Sequence, residues 1–577
     1  MPVMRKWNKI AELQRWRLGL ALLTMALVMP GTELQGQEVA RSIVVSRRVV
    51  VSDSEPASRV GLQILQQGGN AVDAAVATAL AMAVTFPEAG NLGGGGFMLI
   101  YPGGNREAVC IDYRETAPAA AHARMFAADD SQHGHKIVGV PGTVRGLELA
   151  HRQFGKLPWK RLVEPAVRLA DEGFTLGAPL AAALNEVVAS SAAFPELRRV
   201  FGKHQGRERW QAEDRLVQKD LAATLERIAE QGSAGFYEGE TARLLAAEME
   251  AGGGLITAAD LRDYRAKIRP PVRGTFRGFD IYGAPPPSSG GIGTIEALNI
   301  LENFDLKQQD RWSPRTMHLL IEAMRRVYCD RARYLGDPDF AEIPAKLIDN
   351  AYARELAQSI DLDRATPSET LAPEIELAGE GSDTTHFSII DGEGMAVANT
   401  YTLEHSYGSR VVVRGAGFLL NNEMGDFNWL PGHTDRRGRI GTPPNQIAPG
   451  KRMLSSQSPT IVVREGRPVL ITGSPGGRTI INTVICVLTN VLEYQMPLGE
   501  AVAAPRLHQA WFPDVVRFEG VGRSEYAKTV EQLSALGHAI EPKPPKQGAA
   551  NSIWIDQKTA QISAVADPRR SGVAAGD

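Results

Sequence analysis

The sequence predicts an α+β protein in which β-sheets pack between helical layers in one large unit. Three features of the 577-residue chain point there. Runs with the alternation and turn residues of strand hairpins stand near both ends. A mainly helical stretch, from about 140 to 365, separates them. No internal repeat occurs and no linker-like stretch is longer than 365–383, so the elements belong to one core rather than to a string of modules.

From the N-terminus, Arg5, Lys6, Lys9, Arg15 and Arg17 precede an apolar run from Leu18 to Met29 that Pro30-Gly31 ends. About twelve apolar residues fall short of the roughly 20 that span a bilayer and match the core of a secretory signal. Residues 1–36 are read as that signal, with Gly36 a candidate for the last residue removed. The mature chain is then secreted, to the periplasm or outside the cell; an uncleaved membrane anchor is the alternative. A helix follows from Ser54-Glu55-Pro56 to Gly68-Gly69. Asn70 caps a second, in which Val72, Val76, Leu80 and Val84 recur every four residues among alanines, the pattern of a helix buried nearly all round. Next come a glycine-rich approach to a strand, "GNLGGGGFMLIY", and a second strand, "EAVCIDYR", ending at Arg114.

In the helical middle, "LPWKRLVEPAVRLADEG" and "SPRTMHLLIEAMRRVYCDRARYLGD" are the plainest helices, and "APPPSSGG" is a rigid turn. Strands return at 384: His386–Ile390, the turn Asp391-Gly392-Glu393-Gly394, and Met395–Thr402. "PTIVV", "VLITG", "SIWID" and "QISAVA" complete the strands, with helices "RTIINTVICVLTNVLEY" and "AKTVEQLSALG" among them. A formal net charge of −3, with no basic stripe, argues against a nucleic-acid partner. Cys110, Cys329 and Cys486 lie far apart in apolar runs without metal-ligand spacing, and read as buried free thiols.

Four clusters have chemical potential. Thr384-Thr385-His386 follows an acidic, turn-rich segment, Leu371–Asp383, as though a chain began there. A threonine hydroxyl is a poor nucleophile without a base, and a cut before Thr384 would supply one, its own α-amine. Two threonines in a strand are otherwise unremarkable in sequence terms. In "VLITGSPGGRTIINTV" a strand, a turn and a helix set the N–H groups of Gly476 and Gly477 at a helix N-terminus, suited to an oxyanion or to plain capping. The Gly-Lys-Ser/Thr ending of a phosphate loop is missing. Glu404, Glu423 and Asp426 suit a cationic amine or a metal, and the lack of a histidine at ligand spacing favours the amine. Arg114 suits a carboxylate. Together they outline a pocket for one end of a free amino acid.

At this point the chain resembles the γ-glutamyltranspeptidases, of the N-terminal-nucleophile hydrolase class. The motifs are "GNLGGGGFM", "DYRETAP", "VGVPGTVRGL", "PPPSSGG", "YLGDPDF", "TTHFS", "LLNNEMGDF", "SSQSPTIV", "GSPGG" and "ADPRR", spread from about residue 40 to the C-terminus. The resemblance implies a four-layer αββα sandwich built from both fragments of a precursor that cuts itself between Asp383 and Thr384. The large subunit would span 37–383 and the small one 384–577, paired as a heterodimer. It further implies Thr384 as nucleophile, Thr402 as its hydrogen-bond partner, and Gly476 and Gly477 as the oxyanion hole. Arg114, Ser455 and Ser456 would hold the α-carboxylate of the γ-glutamyl donor, and Glu404, Glu423 and Asp426 its α-amine. Glutathione and other γ-glutamyl compounds would be donors, with water, amino acids or dipeptides as acceptors, and no metal or organic cofactor needed.

Two departures bear on this. Glu404 stands where many members have Asn, although glutamate occurs there in some bacterial members. Residues 428–450 occupy the place of the family's lid loop, but carry Arg436-Arg437-Gly438-Arg439 where lidded members have a gating aromatic; Arg436 and Arg437 read as solvated surface. The rival readings are a related acylase acting on β-lactam side chains or poly-γ-glutamate, and a non-catalytic periplasmic binding protein of the same fold. The amino-acid pocket argues against glutaryl-type acyl groups, which lack the α-amine, and the intact Thr384, Thr402 and Gly476-Gly477 argue against the binding protein.

Overall fold

Alternation along each strand decides how the layers stack. The computed structural model describes residues 41–104, 106–372 and 384–577. The two large sheets draw on strands β1 (Arg41–Val45), β2 (Val49–Ser52), β3 (Gly95–Tyr101), β4 (Val109–Asp112), β5 (Lys267–Arg269), β6 (Val272–Phe276) and β7 (Phe279–Gly283). Then come β8 (Thr385–Ile390), β9 (Ala396–Thr402), β10 (Thr460–Arg464), β11 (Arg467–Thr472), β12 (Ser552–Ile555), β13 (Ile562–Ala566) and β14 (Val573–Gly576). One sheet runs β1-β13-β12-β11-β10-β7-β6 and the other β14-β2-β8-β9-β3-β4-β5.

Successive side chains point to opposite faces of a strand. In β2, Val49 and Val51 enter a core shared by the two sheets while Val50 enters a helical core. Phe97 and Leu99 of β3 do the former, Met98 and Ile100 the latter. In β10, Ile461 and Val463 face the other sheet and Val462 faces the helices on its own outer side. The result is helix, sheet, sheet, helix, with three cores between them: the αββα sandwich expected.

The helices form where the sequence pattern put them. Helix α1 (Glu55–Gln66) starts at Ser54, whose side chain accepts from the Ala57 N–H. Helix α2 (Ala71–Thr85) opens with a capping box between Asn70 and Asp73, and all of its residues are buried. Burial of each of its larger aliphatic side chains is worth roughly 1.5–3 kcal/mol. Helices α3 (Trp159–Asp171) and α4 (Lys219–Gln231) extend this layer. Helices α5 (Gly290–Leu301), α6 (Pro314–Tyr334) and α7 (Thr479–Leu488) cover the second sheet.

The stretch 140–365 is mainly helical, as read, and β5, β6 and β7 also lie inside it. The β6–β7 hairpin turns on Arg277-Gly278, both with positive φ (48° and 80°), the two-residue turn whose twist matches a hairpin. Strands β1 and β14 are short terminal segments whose partners, β13 and β2, are far away in sequence. The three cysteines are free and buried, as read. Among the described residues no helix is long and apolar enough to cross a membrane. The signal segment 1–36 and Asp383, with the acidic residues just before it, lie outside the described residues.

Candidate active site

The site lies where β8 begins, β9 ends and β11 turns into α7. Thr385 pairs with Tyr401 in the antiparallel β8–β9 ladder. One step further along that register sets Thr384 beside Thr402, within the ~4.5–5.5 Å that separates directly opposed residues. Thr384 is nearly buried. Its carbonyl accepts from Arg570 Nη1 at 3.2 Å, and the next hydroxyl, Thr385 Oγ1, donates to Asp53 at 2.8 Å. Asp53 also accepts from Asn551 Nδ2 at 2.9 Å and from Arg570 at 3.3 Å. The start of the strand is thus tied down on one side by groups from both ends of the chain.

The glycine-rich run explains how Thr402 is held from the other side. Thr402 pairs with Gly95. Its carbonyl accepts from Asn91 Nδ2 at 2.9 Å, while Asn91 Oδ1 accepts from the Gly94 N–H at 3.0 Å and from Thr143 Oγ1 at 2.6 Å. A Cβ on Gly94 would sit 2.0 Å from the Thr402 carbonyl oxygen, so only glycine permits this approach. The Thr402 hydroxyl accepts from the Glu404 N–H at 2.8 Å. Glu404 itself has φ of +79°, a left-handed conformation that asparagine adopts more readily than glutamate.

Beyond β11, Gly476 (φ +121°) and Gly477 (φ +51°) form the turn before α7, and their carbonyls receive the Thr479 and Ile480 N–H groups. Gly477 lines the cavity, and its N–H has no acceptor among the described residues. Nearby His386 is not a base for the reaction. It is enclosed between Thr400 Oγ1 (2.8 Å), Ser388 Oγ (3.1 Å) and Gly473, and burial pushes its pKa down to about 3.

At the amino-acid end, Arg114 is fully buried at the end of the β4 run. Its guanidinium pairs with Glu423 at 2.6 Å and with Asp426, and Nε donates to the Met453 carbonyl at 3.3 Å. Burial opposes its charge, but Glu423, Glu115, Asp426 and Glu404 together outweigh that and keep it protonated. The same burial and the crowding of acids push Glu423 upward, and raise Glu115 to about 7. Carboxylate oxygens of Glu404, Glu423 and Asp426 lie within 4.8 Å of one another.

Ser455 and Ser456 are set by the "PPPSSGG" turn. Ser455 N–H donates to Pro287 O at 2.9 Å, and Ser289 donates to Ser455 O through both its N–H and its hydroxyl. Thr384, Thr402, Arg114, Glu404, Asp426, Ser455, Ser456 and Gly477 all line one cavity. Gly476 and Glu423 do not line it: Gly476 is one step back in the turn, and Glu423 lies buried against Arg114.

Several contributors were not singled out from sequence. Arg331 lines the cavity, donating to Ser289 Oγ at 3.0 Å and Ser456 Oγ at 3.1 Å; burial and the neighbouring Arg478 lower its pKa to about 10. It stands just upstream of "YLGDPDF". Asn91 and Arg570 lie inside motifs already quoted, so their positions were visible although their partners were not. The 428–450 loop closes one wall and is firmly seated. Trp429 stacks on Phe126 (4.3 Å between centroids), and Asn428 and Asn445 bridge the loop's two arms. Arg436 and Arg437 are exposed, as read, with Arg436 paired to Glu369.

The family model described as Gamma-glutamyltranspeptidase matches residues 57–577. A glutathione hydrolase proenzyme of Pseudomonas aeruginosa is 44% identical over 534 residues, covering 91% of this chain and 93% of its own. One from Escherichia coli is 42% identical, covering 92% of each. Among solved structures, a cephalosporin acylase from Bacillus halodurans superposes with a TM-score of 0.81 at 25% identity, covering 92% of this chain and 96% of that one. A gamma-glutamyltranspeptidase chain from Pseudomonas nitroreducens, complexed with L-DON, is 42% identical with a TM-score of 0.52, covering 55% of this chain and 95% of that one.

Proposed function

Because the chain belongs to the γ-glutamyltranspeptidase family, we propose that its cavity is the site of γ-glutamyl transfer and that Thr384 is the nucleophile. The protein is a γ-glutamyl hydrolase and transferase, a processed two-chain enzyme acting on γ-glutamyl compounds. The observation that carries the site assignment is the meeting, in one cavity, of Thr384, Thr402 and Gly477 with Arg114, Glu404, Asp426, Ser455 and Ser456.

Cleavage between Asp383 and Thr384 divides the chain into a large subunit, 37–383, and a small one, 384–577, and frees the Thr384 α-amine. An ordinary α-amine has a pKa of about 7.7–8.0, so a useful fraction is neutral at physiological pH. The amine takes the proton of Thr384 Oγ as that oxygen attacks the γ-amide carbon. The oxyanion is met by the Gly476 and Gly477 N–H groups, and Thr402 orients the nucleophile. The C–N bond breaks as the amine leaves with the proton, and a γ-glutamyl ester remains on Thr384. Water or an incoming amine then takes the acyl group and restores the hydroxyl.

Arg114, Ser455 and Ser456 receive the donor's α-carboxylate, with Ser456 oriented by Arg331. Glu404 and Asp426 receive its ammonium, with Glu423 supporting them from behind. Glutathione is the proposed natural donor, amino acids or dipeptides the acceptors, and the periplasm or exterior the place of action. A second reading has one supporting observation: an acylase proenzyme of Pseudomonas is 36% identical over 525 residues. Glutaryl-type acyl groups lack the α-amine that Glu404 and Asp426 would hold. Comparing γ-glutamyl with glutaryl anilides separates the two, and preference for the glutaryl compound would overturn the γ-glutamyl assignment. Thr384→Ala is expected to remain one uncut, inactive chain.

A further inference from the structure

We propose that Arg439, on the 428–450 loop, receives the free carboxylate of the departing or incoming amino acid or peptide. The inference rests on the γ-glutamyl transfer reading and extends it to the partner on the far side of the scissile bond.

The loop sets Arg439 apart from the two arginines beside it. Arg436 and Arg437 face solvent, whereas Arg439 lines the cavity with Gly438 and Ile440. Its guanidinium has no ion pair or hydrogen bond among the described residues. Its position is fixed by its neighbours. The Gly438 carbonyl accepts from Arg478 Nη1 at 3.0 Å, the Asp435 N–H donates to the Arg439 carbonyl at 3.2 Å, and Thr442 Oγ1 donates to the Ala332 carbonyl at 2.5 Å. Arg478 directly follows Gly477, so the tether joins Arg439 to the turn proposed to hold the oxyanion rather than to the Arg114 end.

The cavity's acids and cations are divided unevenly. Asp426 and Glu423 pair with Arg114. Arg331, whose guanidinium is bonded to the Ser289 and Ser456 hydroxyls, lines the same cavity, as do Arg478 and Arg439. Like charges gathered around one cavity raise the local concentration of an anion. A γ-glutamyl peptide carries two carboxylates: one on the glutamyl residue, matched by Arg114 and the serines, and one at the far end of the leaving group. Arg439 matches the second, and by microscopic reversal the carboxylate of an acceptor whose amine attacks the Thr384 ester. It takes no part in bond making; it binds and orients.

The test compares two donors on the mature enzyme, γ-glutamyl-4-nitroanilide and γ-glutamyl-3-carboxy-4-nitroanilide, which differ by a carboxylate on the leaving group. In Arg439→Gln the ratio of kcat/KM, carboxylated over plain, is expected to fall by about 10- to 100-fold, the scale of one lost charge-assisted hydrogen bond. Arg439→Lys should lie between, and transfer to glycylglycine should suffer more than transfer to its C-terminal amide. A ratio unchanged in both variants, or an equal fall for both donors, overturns the inference alone. A wild-type enzyme that cleaves neither anilide overturns the γ-glutamyl reading, and this inference with it.

Discussion

Gly94→Ala tests how closely the glycine-rich run must approach the catalytic strand. The new methyl would lie 2.0 Å from the Thr402 carbonyl oxygen and 2.7 Å from Asn91 Oδ1. Ordinary C···O contacts lie near 3.3–3.6 Å, so the backbones must part by roughly 1.3 Å. Relaxation by rotamer is not open to a carbonyl oxygen, and Thr402 is fixed by its pairing with Gly95. Overpacking of this kind costs about 1–3 kcal/mol of stability. The larger effect falls on catalysis: a displacement of about 1 Å at a reacting geometry costs on the order of 10²-fold. The assay is kcat/KM on γ-glutamyl-4-nitroanilide, measured per mole of mature two-fragment enzyme and beside a thermal melt. Gly499→Ala is the control, since nothing lies within 4 Å of a Cβ there. A Gly94→Ala enzyme with wild-type kcat/KM would refute the reasoning, as would one that loses stability while each mature molecule works normally.

Arg114→Gln should raise KM for γ-glutamyl donors and destabilise the fold by about 3–5 kcal/mol, the scale of breaking a buried ion pair, with calorimetry as the readout. His386 is held neutral, with a folded pKa of about 3 against 6.5 for the free side chain. The unfolded chain therefore binds the extra proton, and this contribution to stability is full above about pH 6.5 and is lost as pH falls toward 3. Melts between pH 7.5 and 5 should show a shallower fall in His386→Gln than in wild type. Glu404→Asn should relieve a left-handed glutamate, raising stability by up to about 1 kcal/mol, while the lost carboxylate raises donor KM; chemical unfolding and steady-state kinetics read the two effects separately.

Local features were the most legible part of the fold. Ser54 and Asn70 announced their helices because capping is a short-range interaction, and the all-round apolar pattern of α2 announced its burial. The β8–β9 hairpin was readable for the same reason. Strands β1 and β14 were not, because each gains its partner from the opposite end of the chain. The β6–β7 hairpin was legible in principle from Arg277-Gly278 between two alternating runs, but the helices around it masked the signal. For the site, residue types were readable and pairings were not. Arg114 and the acids were expected to serve opposite ends of a substrate; in the structure they also meet each other, since a buried guanidinium needs counter-charge. Arg331 was hidden within an amphipathic helix, where one arginine more or less carries no pattern.

The central claim is that Thr384 becomes a chain terminus and carries the acyl group. The direct measurement is to mix purified enzyme with γ-glutamyl-4-nitroanilide, quench in acid, and weigh the separated fragments. The expected result is two fragments, the smaller beginning Thr384-Thr385-His386 and heavier by one γ-glutamyl residue bound at Thr384. A single intact chain that is nevertheless active, or an acyl group carried by the larger fragment, would contradict it.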